Sequence, residues 1–263
     1  MYISPIRSMI AATLTAGALF GSAACGSDAG QPEAKAPRAD ATGTITVLGA
    51  SSLTKPFTAF AKDFEKGHPG THVQLSFGSS TDLAGQVLQG APADVFASAD
   101  QKNMGRVTKG SLNASTPVDF AANELTIAVA MGNPKRIASV ADLRRDGLVV
   151  LLCDAAVPCG KFADQVLANA NVALMPTSRE ASARVTITKL ELGEADAAIV
   201  YASDVASSGQ VEMVKIPKNV NVKTTLPITV IKGSKHRALA QAWVDYVLAH
   251  KNELVSKFGF LAL

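Results

Sequence analysis

The sequence has few of the residues that usually mark metal and catalytic centres. Only 5% of its 263 residues are aromatic, four are histidine and three are cysteine. His68 and His72 have helical spacing, but the Pro-Gly pair between them breaks any helix, and the other two histidines stand alone. Because zinc needs several such ligands at set spacings, we predict no metal-cation site.

Charge is also sparse and unclustered. Charged residues make up 18% of the chain, and the formal net charge is +3. The Lys and Arg residues form no basic stripe with interleaved aromatics, which argues against nucleic acid as a partner. Gly-rich phosphate loops of the Walker or dinucleotide type are missing as well, and we predict no resident cofactor. The 48% of hydrophobic residues is enough for a sizeable core or for two lobes.

The first 24 residues have the layout of an export signal. Arg7 is followed by an uncharged run to Phe20 and then by small residues. This run is shorter than the roughly 20 apolar residues of a membrane span. Residues 25–42, rich in Gly, Ala, Pro and charge, predict a flexible tether. The segment resembles a bacterial lipoprotein signal, in which Cys25 carries the lipid; cleavage by ordinary signal peptidase near Ala24 is the alternative, because Ser22 stands where such signals usually carry Leu.

From residue 43 onward, strand and helix patterns alternate, which favours parallel sheets covered by helices on both faces. The predicted strands are Thr44–Leu48, His72–Phe77, Asp94–Ser98, Glu124–Met131, Leu148–Leu152, Ala197–Tyr201, Val211–Ile216 and Val222–Ile231. The predicted helices are Leu53–Lys66, Asp82–Gln89, Gln101–Thr108, Lys161–Asn171, Ala181–Leu192, Arg237–Ala249 and Asn252–Phe258. We expect two lobes, one of residues 43–122 with 226–263 and one of residues 123–225, with the long strands as the crossings between them.

Two pairs of hydroxyl residues stand where a predicted strand gives way to a helix. Ser51 and Ser52 follow the first strand, and Ser79 and Ser80 follow the second. Unpaired N–H groups and the positive end of the dipole at a helix start attract anions, and a hydroxyl adds a donor. The alternative is that the serines only cap their helices, as Ser commonly does.

Cys153 and Cys159 lie six residues apart in a chain that we expect to be exported. In an oxidising compartment such a pair forms a disulfide more often than a metal site. We therefore predict a bridge between them.

Five motifs resemble, in order, those of the periplasmic molybdate-binding proteins of ABC importers. They are Gly49-Ala50-Ser51-Ser52-Leu53-Thr54, Phe77-Gly78-Ser79-Ser80-Thr81, Gly90-Ala91-Pro92-Ala93-Asp94-Val95-Phe96-Ala97-Ser98-Ala99-Asp100, Val157-Pro158-Cys159-Gly160 and Ala198-Ile199-Val200-Tyr201. The resemblance implies a two-lobed α/β periplasmic-binding-protein fold of type II, with molybdate or tungstate in the cleft between lobes. It also implies a monomer that works with the permease and ATPase subunits of an importer. With Cys25 lipidated, the protein would be extracytoplasmic, anchored to the outer face of the cell membrane.

The same resemblance implies an oxyanion site made of neutral donors. Ser52 and Ser80 would each offer a hydroxyl and a backbone N–H, Cys159 and Ala183 their backbone N–H groups, and Tyr201 its phenol. The chain departs from the family pattern at Cys159, where a relative carries Ala, and it adds Cys153. A site of donors favours a fully deprotonated oxyanion, since a ligand proton would leave a donor unpaired.

Two alternatives stay open at this point. One is a receptor for another tetrahedral oxyanion such as sulfate. The other is an exported serine hydrolase that uses Ser52 or Ser80, although neither serine stands in a G-x-S-x-G pattern or has an evident histidine partner. Asp94 and Asp100 resemble a catalytic carboxylate pair but are better explained as caps and turn residues. Asp82, in the first turn of its helix, is expected to point away from the anion.

Overall fold

The computed structural model of the chain describes residues 42–263. The predicted export signal, Cys25 and the tether up to residue 41 lie outside the described residues. The strands are β1 Gly43–Ala50, β2 Thr71–Gly78, β3 Val95–Ala97, β4 Val118–Ala130, β5 Val150–Cys153, β6 Ser178–Glu180, β7 Ala197–Tyr201, β8 Val211–Lys215 and β9 Lys223–Val230. The helices are α1 Thr54–Gly67, α2 Ser80–Leu88, α3 Gln101–Lys109, α4 Pro158–Asn169, α5 Ala183–Glu191, α6 Ala202–Ser208, α7 Arg237–Ala249 and α8 Lys251–Phe258. In this part of the chain, no helix combines the length and the apolar character that a membrane span requires.

The strands form one mixed sheet in the order β2-β1-β3-β9-β4-β7-β5-β6, and β8 pairs with β4. Strands β1, β2 and β3 run parallel to one another, as do β5, β6 and β7. The α/β class expected from the sequence is confirmed. We call β1, β2, β3 and β9 with helices α1, α2, α3, α7 and α8 the β1 half, and β5 to β8 with helices α4, α5 and α6 the β5 half.

Strand β4 belongs to both halves. Its residues up to Glu124 pair with β9, and from Leu125 onward it pairs with β7 and β8. The sequence predicted this strand only from Glu124, because Asp119 and Asn123 interrupt the apolar run before it. Those polar residues are tolerated since Asn123 donates a hydrogen bond to Ser203 and a register shift follows Asp119.

The scarce aromatic residues gather where α1 packs on α7. Trp243 is fully buried, and its ring centroid lies 5.5 Å from those of Phe57 and Phe64, both edge to face. Tyr246 contacts Phe60 and Phe64 in the same way. Burying a large apolar side chain contributes roughly 1.5–3 kcal/mol, so this cluster fixes the C-terminal helices on the β1 half.

Besides β4, three elements show where the sequence prediction failed. Helix α6 was missed because Ala202–Ser208 is short and rich in Ser and Asp, which are weak helix formers. Strand β6 was missed because it has only three residues. Helix α4 begins at Pro158 rather than Lys161, since proline suits the first position of a helix, where an N–H is not needed.

Candidate functional site

The carboxyl ends of strands from both halves meet at one small cavity. Strands β1, β2, β3, β5, β6 and β7 all lead into it, as expected for a ligand site in an open α/β sheet. About 240 Å³ of space unoccupied by atoms lies between its walls, and this figure includes open solvent. Its lining residues are Ala50, Ser51, Ser52, Gly78, Ser79, Ser80, Ala99, Val157, Pro158, Cys159, Ser182, Ala183 and Tyr201.

All five residues that the resemblance pointed to line this cavity. Ser80 is the first residue of α2, Ala183 is the first of α5, and Cys159 is the second of α4. Ser52 lies in the 3-10 turn Ser51–Leu53, which leads into α1. Backbone N–H groups at the start of a helix have no acceptor within that helix. Four such starts therefore aim unpaired donors and positive dipole ends at one small space.

Two buried hydroxyl groups in the cavity have no partner. The Ser52 hydroxyl and the Tyr201 phenol are shielded from solvent and make no hydrogen bond within the described chain. A buried polar group left without a partner costs roughly 1–3 kcal/mol, and such groups are rare in folded proteins. One hydroxyl comes from each half, so an acceptor placed between them would satisfy both.

The third hydroxyl, that of Ser80, is held in place by the backbone beside it. The N–H of Ala99 donates to Ser80 Oγ at 2.9 Å, and Thr224 Oγ1 donates to the carbonyl of the same Ala99, also at 2.9 Å. Because Ser80 Oγ accepts this bond, its own hydrogen is available to a ligand. The arrangement makes Ser80 a donor toward the cavity.

Neutral groups alone line the cavity. No Lys, Arg, His, Asp or Glu is among the described residues that form its wall. Burial raises the pKa of the Tyr201 phenol well above its ordinary value, and the nearby carboxylates of Asp100 and Asp204 raise it further. Tyr201 therefore stays protonated and acts as a donor. Burial likewise raises the pKa of Asp204, whose carboxylate accepts from the Tyr201 N–H, to about 7.

The loop that carries Cys159 is closed on itself. Cys153 and Cys159 form a disulfide with their Cα atoms 5.7 Å apart. The start of α4 packs so closely on this loop that a Cβ on Gly160 would lie 2.1 Å from the carbonyl oxygen of Asp154. Arg179 donates to the Cys153 carbonyl at 3.0 Å and forms an ion pair with Asp164. The Cys159 N–H thus sits on a tightly fixed backbone.

The three aspartates considered from the sequence have structural roles. Asp82 accepts a hydrogen bond from Ser79 Oγ at 2.7 Å and is not part of the cavity wall, in line with the expectation that it points away. Asp100 caps α3 by accepting from the Asn103 N–H at 2.9 Å. Asp94 accepts from the Thr46 N–H at 2.7 Å and from Ser234. Asp94 and Asp100 therefore act as cap and turn residues.

Among the described residues, the cavity wall contains no set of metal ligands and no serine paired with a histidine. Over residues 42–263, no group of three or more His, Cys, Asp or Glu residues is placed to hold a metal ion. All four histidines fall within this range, and none of them lines the cavity. The described wall therefore offers the Ser52 hydroxyl no histidine or carboxylate that could act as its general base.

The motifs did not identify every residue of the wall. Ser182, which caps α5 by accepting from the Val185 N–H, lies in none of the motifs, and Ala99, whose N–H donates to Ser80, lies in the third motif but was given no role. A serine just before a predicted helix is a signal that could have found Ser182. Ala99 acts through its backbone, and side-chain patterns do not reveal such a contact.

The fold is that of an α/β binding protein, and the candidate ligand site is the cavity at the carboxyl ends of its strands. The family described as bacterial extracellular solute-binding protein matches residues 45–261. The protein named Molybdate-binding protein ModA from Mycobacterium bovis is 39% identical over 249 residues, which are 94% of each chain. The chain belongs to this family of bacterial extracellular solute-binding proteins.

Solved structures agree on the fold. The periplasmic molybdate-binding protein of Azotobacter vinelandii has a TM-score of 0.74 at 18% identity, covering 83% of this chain and 99% of its own. The sulfate-binding protein SubI of Mycobacterium tuberculosis has a TM-score of 0.71 at 21% identity, covering 82% and 86%. At these identities the similarity extends to the architecture alone, so the choice of ligand depends on the site and the closer relatives.

Proposed function

We propose that this protein binds molybdate, and tungstate with it, outside the cytoplasm and delivers it to an ABC importer. The observation that carries the proposal is the pair of buried, unpartnered hydroxyls of Ser52 and Tyr201, which face one cavity from opposite halves. A tetrahedral anion between them would accept from both, and from the N–H groups of Ser80, Cys159 and Ala183 as well. It would satisfy groups that are otherwise costly to bury.

A dianion needs no cationic partner in such a place. Several oriented dipoles at helix starts stabilise negative charge, and each donor adds a charge-assisted hydrogen bond. The wall offers no charged acceptor for a ligand proton, so a partly protonated anion such as phosphate would leave at least one donor unpaired. Molybdate and sulfate are both fully deprotonated, so either could accept from every donor of the wall. Support for molybdate over sulfate comes from the relative that is 39% identical and is named for molybdate binding.

The rest of the chain fits a role in import. We propose that residues 43–122 with 226–263 form one lobe and residues 123–225 the other, with the anion between them. Residues 1–24 would direct export, and lipidated Cys25 would anchor the protein to the outer face of the membrane through the tether of residues 25–42. The partners would be the permease and ATPase subunits, met by a monomer that binds its ligand without chemical change.

The first test is the effect of anions on thermal unfolding of the purified protein. A ligand that binds only the folded state stabilises it by about 2.7 kcal/mol when present at a hundred times its Kd. Molybdate and tungstate should raise the thermal midpoint, and sulfate and phosphate at equal concentration should have little effect. A sulfate shift as large as that of molybdate would reassign the ligand. Turnover in an esterase and phosphatase panel would instead favour the hydrolase alternative.

A further inference from the structure

Among the described residues, two side-chain hydrogen bonds join the β1 half to the β5 half, one from Thr81 and one from Lys55, and each donor lies close in sequence to a serine of the cavity wall. We propose that Thr81 and Lys55 are the latches that hold the halves closed, and that they set how long the anion stays bound. The inference rests on the proposed function for its ligand. It adds two residues that contact no ligand themselves but position the halves that do.

The first latch runs from the β1 half to the loop closed by the disulfide. Thr81 Oγ1 donates to the carbonyl oxygen of Ala156 at 2.9 Å, and the two residues are 75 positions apart in the chain. Thr81 follows Ser80 directly, and Ala156 lies three residues before Cys159. A change in this bond therefore acts between two proposed anion donors, one from each half.

Thr81 is oriented for this contact by its own half. Asn103 Nδ2 donates to Thr81 Oγ1 at 3.4 Å, so the hydroxyl accepts on one side and donates to Ala156 on the other. Arg106 fixes the backbone by donating to the Thr81 carbonyl at 3.0 Å and to Asn103 Oδ1 at 3.1 Å. With its donor direction set in advance, the hydroxyl loses little freedom when the halves meet.

The second latch joins the two chain segments that follow Ser52 and Tyr201. Lys55 Nζ, from the first turn of α1, donates to the carbonyl oxygen of Ser207, in the last turn of α6. Lys55 is three residues beyond Ser52, and α6 begins directly after Tyr201. A lysine at the C-terminal end of a helix is favoured by the helix dipole as well as by the hydrogen bond.

The test is the rate at which molybdate leaves the protein, measured by stopped-flow fluorescence. Each latch is one hydrogen bond, so Thr81→Val and Lys55→Met should each speed release by about two- to tenfold. The two sites are separate, and the double variant should multiply the two effects. Thr81→Ser retains the hydroxyl and should release molybdate at the wild-type rate.

Matched controls come from α1, the helix that carries Lys55. Thr58→Val removes an exposed hydroxyl that donates to the Thr54 carbonyl within the helix, and Lys62→Met removes an exposed charge. Neither should change release. The proposal is overturned if the double variant releases molybdate at the wild-type rate, or if Thr81→Ser speeds release as much as Thr81→Val.

A protein that binds no molybdate would refute the proposed function rather than the latches. In that case, small-angle scattering of the ligand-free protein tests whether the latches hold the two halves together. A larger radius of gyration in the double variant than in wild type supports the latches, and an equal radius contradicts them.

Discussion

The two sides of the cavity would offer different chemical groups to the proposed ligand. The β1 half presents the side-chain hydroxyls of Ser52 and Ser80 together with their N–H groups. The β5 half presents Tyr201, but its other donors are the backbone N–H groups of Cys159 and Ala183, whose side chains carry no donor to the site. One side can thus be altered atom by atom through side chains. On the other side, the donors apart from Tyr201 can be altered only by moving the backbone.

The largest effect is expected where that backbone is most constrained. In Gly160→Ala, the new Cβ would lie 2.1 Å from the Asp154 carbonyl oxygen and 2.4 Å from that of Cys153. The start of α4 has to shift, and the Cys159 N–H shifts with it. Overpacking of this kind costs typically about 1–3 kcal/mol of stability, occasionally more. Molybdate affinity, measured by calorimetry, should fall roughly hundredfold or more as charge-assisted donors are displaced.

Gly105→Ala provides the control for this change. Gly105 lies in α3, and a Cβ there would meet nothing within 4 Å. The variant should bind like wild type and be slightly more stable, since alanine is the better helix former. Wild-type affinity in Gly160→Ala would mean that the start of α4 is not part of the site.

On the β1 half, Ser52→Ala and Ser80→Ala should each lower affinity about ten- to hundredfold, since a hydrogen bond to a charged group is worth roughly 1.5–3 kcal/mol. Their effects on the ligand-free protein should differ. Ser52 Oγ has no partner, so its removal costs no bond, whereas loss of Ser80 Oγ leaves the buried Ala99 N–H without an acceptor. Thermal unfolding should therefore find only Ser80→Ala destabilised, by about 1–3 kcal/mol.

Tyr201→Phe applies the same test to the side-chain donor of the β5 half, with a similar expected loss of molybdate affinity.

For the two serine variants, Ser256→Ala is a matched control, because Ser256 is exposed and its hydroxyl bonds within α8. Full affinity in both serine variants would reduce Ser52 and Ser80 to residues that merely begin their helices.

A smaller loss of affinity is expected when the disulfide is removed. The bridge closes a short loop, so Cys153→Ser with Cys159→Ser should lower stability by roughly 2–3 kcal/mol in the chain-entropy account. Affinity should also fall, because the Cys159 N–H would be ordered during binding rather than before it. Reactive thiols at Cys153 and Cys159 in the unfolded protein without reductant would show that the bridge is absent in solution.

The smallest expected effect is on the pH dependence of stability, through Asp204, whose carboxylate accepts from the Tyr201 N–H. Its folded pKa of about 7 lies above the ordinary value of 3.8, so the stability that it contributes is complete below pH 3.8 and is lost as pH rises through about 7. Between pH 6 and 8 the loss should be about 1.4 kcal/mol, the equivalent of one pKa unit. Asp204→Asn should flatten this part of the profile in denaturant unfolding. An unchanged slope would show that Asp204 is ionised throughout.

The sequence predicts side-chain donors of the site more readily than backbone donors. Ser52 and Ser80 were found because a strand, a hydroxyl pair and a helical period leave a readable pattern. Tyr201, Cys159 and Ala183 were found only through resemblance to a family, since no local pattern marks an N–H as a ligand. The structure places all five in one wall, and their binding role stays a prediction.

The sequence likewise predicted the larger elements of the fold but not the smallest ones. Long apolar strands and amphipathic helices were identified with ends displaced by a few residues. Helix α6 and strand β6 were missed because short elements are held by their neighbours rather than by their own propensity. The cross-cavity bonds of Thr81 and Lys55 join residues 75 and 152 positions apart, and no sequence period encodes such a distance.

A crystal structure of the protein with molybdate would test the central claim most directly, that neutral donors from both halves hold the anion. The account predicts molybdate oxygens within hydrogen-bond distance of Ser52 Oγ, Tyr201 OH and the N–H groups of Ser80, Cys159 and Ala183. Molybdate bound elsewhere, or held by a Lys or Arg side chain while Ser52 and Tyr201 stay unpartnered, would contradict it.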